Sequence, residues 1–483
     1  MNRQIVQLFG LIVVLFAVLI GFTSYWAVFD ADALRNETAN SRPLLEQQQI
    51  RRGRILAADG TVLARSVPKG RGDGLRYVRR YPEGALYGHP IGYSFVRQGD
   101  SEFERFHNDE LVGRGSEFSS ILDELSGSRP EGNNIVTNLD PAAQSAALEG
   151  LQETGPGAVV AIEPSTGRVR ALASNPPYDP NEVPYHSTRL NTDPSSPLLN
   201  RATQGQYPPG STFKVVTAAA GLDSGAITPE TTINAPGTID VQGQPLSNDY
   251  NEDFGSISLD SALTHSVNTW FAQLGEQLGG EVLFEYMDAF GFGQIPAIDL
   301  PPTQVYRSGL FENEELLGRN DPIDPGRVAI GQERLAVTPL QMAEVAAAVA
   351  NGGRLMKPQI WSRVVDPDGR VTKRLDPSEY SQPISEETAE ELTTAMEGVV
   401  SGGTGTNAEI PGVPVAGKTG TAETPFNESC GAADDNQAWF IGFAPADEPK
   451  IAIAVSIECT PFFGNDVAAP IFRSVAETIL NEG

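Results

Sequence analysis

Residues 8–22 read LFGLIVVLFAVLIGF, apolar at nearly every position, and no charge falls between Arg3 and Asp30. An uncharged stretch of this length predicts a bilayer-spanning helix, with Tyr25 and Trp26 at the level of an interfacial aromatic belt. Ala31-Asp32-Ala33 offers a small-x-small cleavage site. The apolar core is longer than that of a usual leader, so an uncleaved anchor is expected. Beyond it the pattern breaks into short pieces. Arg52-Gly53-Arg54-Ile55-Leu56 and Thr61-Val62-Leu63-Ala64 predict two strands joined through the turn Asp59-Gly60. Asp140-Pro141 predicts the start of a helix over AAQSAALEGLQ. Residues 157–162 and 168–174 predict a hairpin around Pro164 to Gly167, and a largely helical middle follows. Residues 438–443 and 451–456 return to strand, separated by a polar turn with Pro445 and Pro449. Strands at both ends of a helical middle predict an α+β domain, one antiparallel sheet against helices. The expected layout is a tail over 1–4, an anchor over 5–29, a small α+β pedestal over 30–135 and a large domain over 136–483.

Charge narrows the function. The 483 residues carry 34 basic and 62 acidic side chains, a formal net charge of -28. Such a surface repels nucleic acid backbones, so no nucleic acid partner is expected. One stretch departs from the average: Arg52, Arg54, Arg65, Lys69, Arg71, Arg76 and Arg79 face few acids. It reads as a solvated face, with anionic lipid or anionic wall polymer as the alternative. The single charge ahead of the anchor, Arg3, favours a cytoplasmic N-terminus, which places residues after 30 outside. The two cysteines, Cys430 and Cys459, bracket the last predicted strand pair, an arrangement compatible with a disulfide in an oxidising compartment. Four scattered histidines and two cysteines carry no zinc spacing, and neither metal nor cofactor is expected.

The chemistry sits in three strings. Pro208-Pro209-Gly210 halts any preceding helix, and Ser211 is a natural helix-start residue. The helix that follows carries apolar residues all round (Phe213, Val215, Val216, Ala218, Ala219, Ala220, Leu222), which predicts burial on nearly every side. Lys214, three residues from Ser211, then shares its face. Burial disfavours the ammonium, so a neutral Lys214 could take the Ser211 proton. In Ser266-Val267-Asn268, Ser266 could relay a proton to a leaving amine and Asn268 could orient Lys214; His265 reads as a structural neighbour. Lys418-Thr419-Gly420-Thr421 lies on a predicted strand, where Thr419 and Thr421 share a face suited to a carboxylate. Gly420 permits close backbone approach and Lys418 adds positive charge. The Thr421 and Ser211 N–H groups could form an oxyanion hole.

The ordered triplet resembles the signature of penicillin-recognising serine enzymes. Its surroundings are similar to those of the class B penicillin-binding transpeptidases: Asn200-Arg201-Ala202, Tyr207-Pro208-Pro209-Gly210-Ser211-Thr212-Phe213-Lys214, Gly331-Gln332, Thr338-Pro339-Leu340-Gln341-Met342-Ala343, Gly402-Gly403-Thr404 and Gly417-Lys418-Thr419-Gly420-Thr421-Ala422. Arg52-Gly53-Arg54-Ile55 with Asp59-Gly60 looks like the family's N-terminal signature, although its Asp-Arg-x-Gly stretch reads Ala57-Ala58-Asp59-Gly60 here. The resemblance implies a five-stranded antiparallel sheet flanked by helices beside an all-helical subdomain. It also implies a D,D-transpeptidase that crosslinks peptidoglycan stem peptides through a Ser211 acyl-enzyme and releases D-alanine. Lys214 would be general base, with Ser266 and Lys418 aiding proton transfer. β-Lactams would acylate Ser211 as substrate mimics, and a SEDS-type glycosyltransferase is the implied membrane partner. The rival readings are a D,D-carboxypeptidase or β-lactamase-like hydrolase using the same residues, and a non-catalytic β-lactam-binding scaffold. The scaffold would be expected to have lost a motif residue, and none is lost.

Overall fold

A computed structural model describes residues 2–28, 48–71, 74–113, 131–423 and 436–482. The chain opens on α1 (Asn2–Val28). Its segment Arg3–Trp26, whose most apolar 18-residue stretch has a mean hydropathy of 2.9, is long and apolar enough to cross a membrane. Residue 29, the last of the expected anchor, lies outside the described residues.

The pedestal region supplies β1 (Ile55–Leu56), β2 (Val62–Lys69), β3 (Arg76–Arg80) and β4 (Asn134–Thr137). β1 and β2 pair antiparallel as the Asp59-Gly60 turn requires, with Asp59 Oδ1 accepting from the Thr61 N–H at 2.8 Å. Arg52 to Arg54, expected in the first strand, precede it: the Arg52 side chain is instead drawn into a buried pair with Glu104 at 2.7 Å. Next come α2 (Pro141–Thr154), β5 (Gly157–Ile162) and β6 (Val169–Asn175). Asp140 caps α2 by accepting from the Ala142 and Ala143 N–H groups, and Pro141, which has no N–H to lose, fills the first turn.

The middle contributes α3 (Lys214–Asp223), α4 (Leu259–Thr264), α5 (Asn268–Ala289) and α6 (Pro339–Ala350). The chain then forms β7 (Trp361–Val365), β8 (Val371–Arg374), α7 (Glu386–Ser401), β9 (Ala416–Glu423), β10 (Asn436–Ala444), β11 (Ile451–Thr460) and α8 (Ala469–Glu482).

Two sheets organise the described residues. The larger domain is built on a five-stranded antiparallel sheet in the order β9-β10-β11-β5-β6, so strands from the two ends of that domain meet at β11 and β5. Period-two sorting explains its layers. Val159 and Ala161 of β5, with Ile453 and Val455 of β11, pack in a core with Ala147 and Leu151 of α2 and Phe472 of α8. Ala158 and Val160, with Ala452 and Ala454, join the opposite core with Ala343 and Ala346 of α6 and Ala219 of α3. Both faces are covered, which is why these strands read as unbroken apolar runs. The second sheet runs β8-β7-β4-β1-β2-β3. Its β4 spans the expected boundary at 135/136, and β7 and β8 return from far along the chain to extend it.

Candidate active site

Ser211 lies in the 3-10 turn Gly210–Phe213 directly ahead of α3. It does not cap the helix, contrary to its helix-start character: Pro209 occupies the cap position of the turn and no side-chain cap forms. Among the described residues Ser211 Oγ has no hydrogen-bond partner, which leaves the hydroxyl free for chemistry. Glycines make the turn possible. Gly210 has φ +51°, and a Cβ on it would sit 2.8 Å from the Thr421 carbonyl oxygen. A Cβ on Gly420 would sit 2.8 Å from both the Pro209 oxygen and Thr212 Cγ2, so β9 lies against the serine turn only because that position is bare.

Lys214 opens α3 and is wholly buried, as is nearly every residue of that helix. Its Nζ donates to the Ser266 carbonyl at 2.6 Å and to Asn268 Oδ1 at 2.6 Å, with Ser266 Oγ at 3.2 Å. Asn268 Nδ2 donates to the Ser247 carbonyl at 3.0 Å, which turns Oδ1 toward the lysine. Burial, with the positive charge of Lys418 beside it, holds Lys214 well below the ordinary lysine value; the Asp249 carboxylate pulls the other way. A neutral amine has two N–H groups. Two acceptor oxygens at 2.6 Å engage both, so its lone pair is left to accept a proton.

Ser266 stands between the lysines. It lies in the break separating α4 from α5, with φ +57°, a left-handed conformation uncommon for a residue with a side chain. That backbone presents its carbonyl and its hydroxyl to the same amine, and such conformations cluster at functional sites. Lys418 Nζ, also fully buried, donates to Ser266 Oγ at 2.9 Å and to the Thr419 carbonyl at 3.0 Å. Burial lowers Lys418 to about 7, again against the pull of Asp249. Thr419 Oγ1 lies 2.7 Å from Thr404 Oγ1, and Thr421 Oγ1 accepts from the Gly464 N–H at 3.4 Å. β9 is an edge strand of its sheet among the described residues. His265 is exposed and stacks on Phe254.

The structure thus gathers Lys214, Ser266, Asn268 and Lys418 through hydrogen bonds and packs Gly420 on the turn that carries Ser211. Sequence reasoning missed Thr404 as a partner of Thr419, although the Gly402-Gly403-Thr404 string marked the place. It also missed Asn248, whose Oδ1 accepts from the Thr269 N–H at the start of α5, and Asp249, whose charge reaches both lysines. No local pattern distinguishes those two. Cys459 is not free; Cys430 lies outside the described residues.

A serine turn, a paired lysine system and an edge strand carrying Lys-Thr-Gly define a class. The penicillin binding protein transpeptidase domain profile matches residues 157–477, and the chain belongs to that family. A profile of the penicillin binding protein A dimerisation domain matches residues 52–135. Within the family, the chain is 36% identical over 508 aligned residues to peptidoglycan D,D-transpeptidase PbpA of Mycobacterium tuberculosis (strain ATCC 25618 / H37Rv), with 99% of each covered. It is likewise 36% identical to PbpA of Mycolicibacterium smegmatis, covering 100% of both. The structure of penicillin-binding protein A from M. tuberculosis as a ceftriaxone acyl-enzyme complex superposes with a TM-score of 0.81 at 35% identity, covering 90% of this chain and 100% of that one.

Proposed function

We propose that this chain is a membrane-anchored peptidoglycan D,D-transpeptidase acting through a Ser211 acyl-enzyme, and a target of β-lactams. The observation that carries the reading is the convergence of two buried lysines on Ser266 Oγ, one of them three residues along from Ser211, whose hydroxyl has no hydrogen-bond partner among the described residues. Relatives named D,D-transpeptidase over the full length, and an acyl-enzyme complex of such a relative, support it.

In the proposed reaction the Lys214 lone pair takes the Ser211 proton as Oγ attacks the carbonyl of the penultimate D-alanine. The Ser211 and Thr421 N–H groups hold the oxyanion, and Thr419 and Lys418 hold the terminal carboxylate. The proton passes through Ser266 Oγ to the leaving D-alanine amine as the C–N bond breaks. An amine of a second stem peptide then attacks the ester, loses a proton along the same path, and returns the hydroxyl to Ser211. Water in place of that amine gives hydrolysis. Asn268 keeps Lys214 aimed. The pedestal over 30–135 and the catalytic domain over 136–483 stand outside the membrane on α1, paired with a SEDS-type glycosyltransferase. A Cys430–Cys459 disulfide ties the segment after β9 to β11; peptide mass mapping without reductant tests it.

Ser211→Ala abolishes covalent labelling by a fluorescent penicillin while far-UV circular dichroism is unchanged. Labelling that persists at another serine overturns the assignment. With a lipid-linked glycan polymerase and stem-peptide substrate, the wild-type chain yields crosslinked dimers. D-Alanine release without crosslinks would make it a carboxypeptidase.

A further inference from the structure

The basic stretch that stood out against the acid average divides: Arg52 and Arg79, expected on a solvated face, are buried against Glu104, while Arg65, Lys69, Arg76 and Arg80 form a surface the active site does not use. β2 and β3 pair in the register Arg65↔Arg80, Ser66↔Arg79, Val67↔Val78, Lys69↔Arg76. By strand alternation Arg65, Val67 and Lys69 share one face with Arg80, Val78 and Arg76. The other face is inward: Arg79 is buried and pairs with Glu104 at 2.6 Å, and Ser66 Oγ donates to the Arg52 carbonyl. On the outer face the cations stand directly opposite one another, an arrangement that destabilises a strand pair. Arg65, Lys69 and Arg80 form no ion pair among the described residues. β3 is a sheet edge, where charge discourages stray pairing, but mixed signs would do that equally well. Uniform sign in a chain of net charge -28 calls for an anion. Between Arg65 and Arg80 lies an open recess of about 460 Å³ lined also by Val67, Tyr81, Pro82 and Asn181. The planar guanidinium fork suits phosphate oxygens.

We propose that this hairpin face docks on the anionic phosphate headgroups of the bilayer that holds α1. The inference rests on the anchor reading above. A tethered chain meets its own bilayer at high effective concentration, and juxtamembrane cations act within a Debye length of an anionic leaflet. The acid-rich remainder is repelled, so contact through β2 and β3 also sets which side of the molecule faces the membrane.

The test uses the full chain with a fluorophore on Val67→Cys, placed in nanodiscs of phosphatidylcholine alone or mixed with phosphatidylglycerol, each containing a headgroup-quencher lipid. Quenching about threefold or more greater in the anionic discs is expected, reversed by high salt and absent when Arg65→Gln, Lys69→Gln and Arg80→Gln are combined. The combined variant keeps wild-type penicillin labelling, which reports its fold. Equal quenching in the two discs overturns the proposal. So does a response that appears only after soluble poly(glycerol phosphate) is added. Retention of α1 is read separately by alkaline extraction, so loss of the anchor and loss of the hairpin contact give different results.

Discussion

At the scale of single residues, the site depends on what burial does to two amines. Lys214 and Lys418 sit without exposure, and desolvation is the largest influence on each. In the proposed mechanism acylation rises with pH as Lys214 loses its proton, so its acid limb is expected far below the ordinary lysine value. Lys418 is lowered to about 7, so the hold proposed for it on a substrate carboxylate is expected to weaken above that pH. The two are close enough that the limbs belong to the pair. Asp249 opposes both shifts. Asp249→Asn therefore moves the acid limb of penicillin acylation to lower pH, with the plateau rate changed by less than about twofold. The displacement shrinks in high salt because Asp249 is exposed. Stopped-flow acylation across pH checks this; an unmoved limb would remove Asp249 from the electrostatics of the site. From sequence, the apolar residues around Lys214 were enough to expect its depressed pKa. Asp249 was illegible, because its influence comes from a loop folded back onto α5.

At the scale of elements, the serine turn and β9 are held together by absent side chains. Gly420 faces the Pro209 carbonyl and Thr212, while Gly331, with φ +75°, faces the Gly210 carbonyl from the other side. Gly420→Ala forces β9 from the turn. We expect a loss of acylation rate of at least about 100-fold with destabilisation of about 1–3 kcal/mol, read by penicillin labelling kinetics and urea unfolding. A near-normal rate would show that the contact does not position Ser211. The strands and helices themselves were largely legible. The Asp140-Pro141 start of α2, the two hairpins and the buried α3 followed from caps, turns and periodicity. The serine turn was not: a serine after Pro-Gly reads as a helix cap, and only the packing of Gly420 and Gly331 against the turn reveals a left-handed Gly210 that makes Ser211 part of a 3-10 turn.

For the whole molecule, buried carboxyl groups add a pH dependence away from the site. Glu344, buried in the middle of α6, is raised to about 8 by that burial. The folded chain keeps that proton up to about pH 8, whereas the unfolded chain gives it up near 4.5. Unfolding thus releases a proton between those values, and stability falls as pH rises through that window. Glu344→Gln is neutral throughout, so its melting temperature matches the wild type near pH 5 and exceeds it at pH 8 by about 2 °C or more. Calorimetry at the two pH values decides this, and an equal difference at both would exclude an ionisation effect. The sequence by itself determined the apolar N-terminal helix, the α+β class and the residue types needed for serine acyl transfer, because these depend on local hydrophobicity, period and spacing. Only the tertiary structure decided that β11 meets β5, that β7 and β8 extend the pedestal sheet, and that Ser266 Oγ lies within reach of both lysines. Those contacts join residues tens to hundreds of positions apart, where burial and hydrogen bonding select one arrangement that no local pattern encodes.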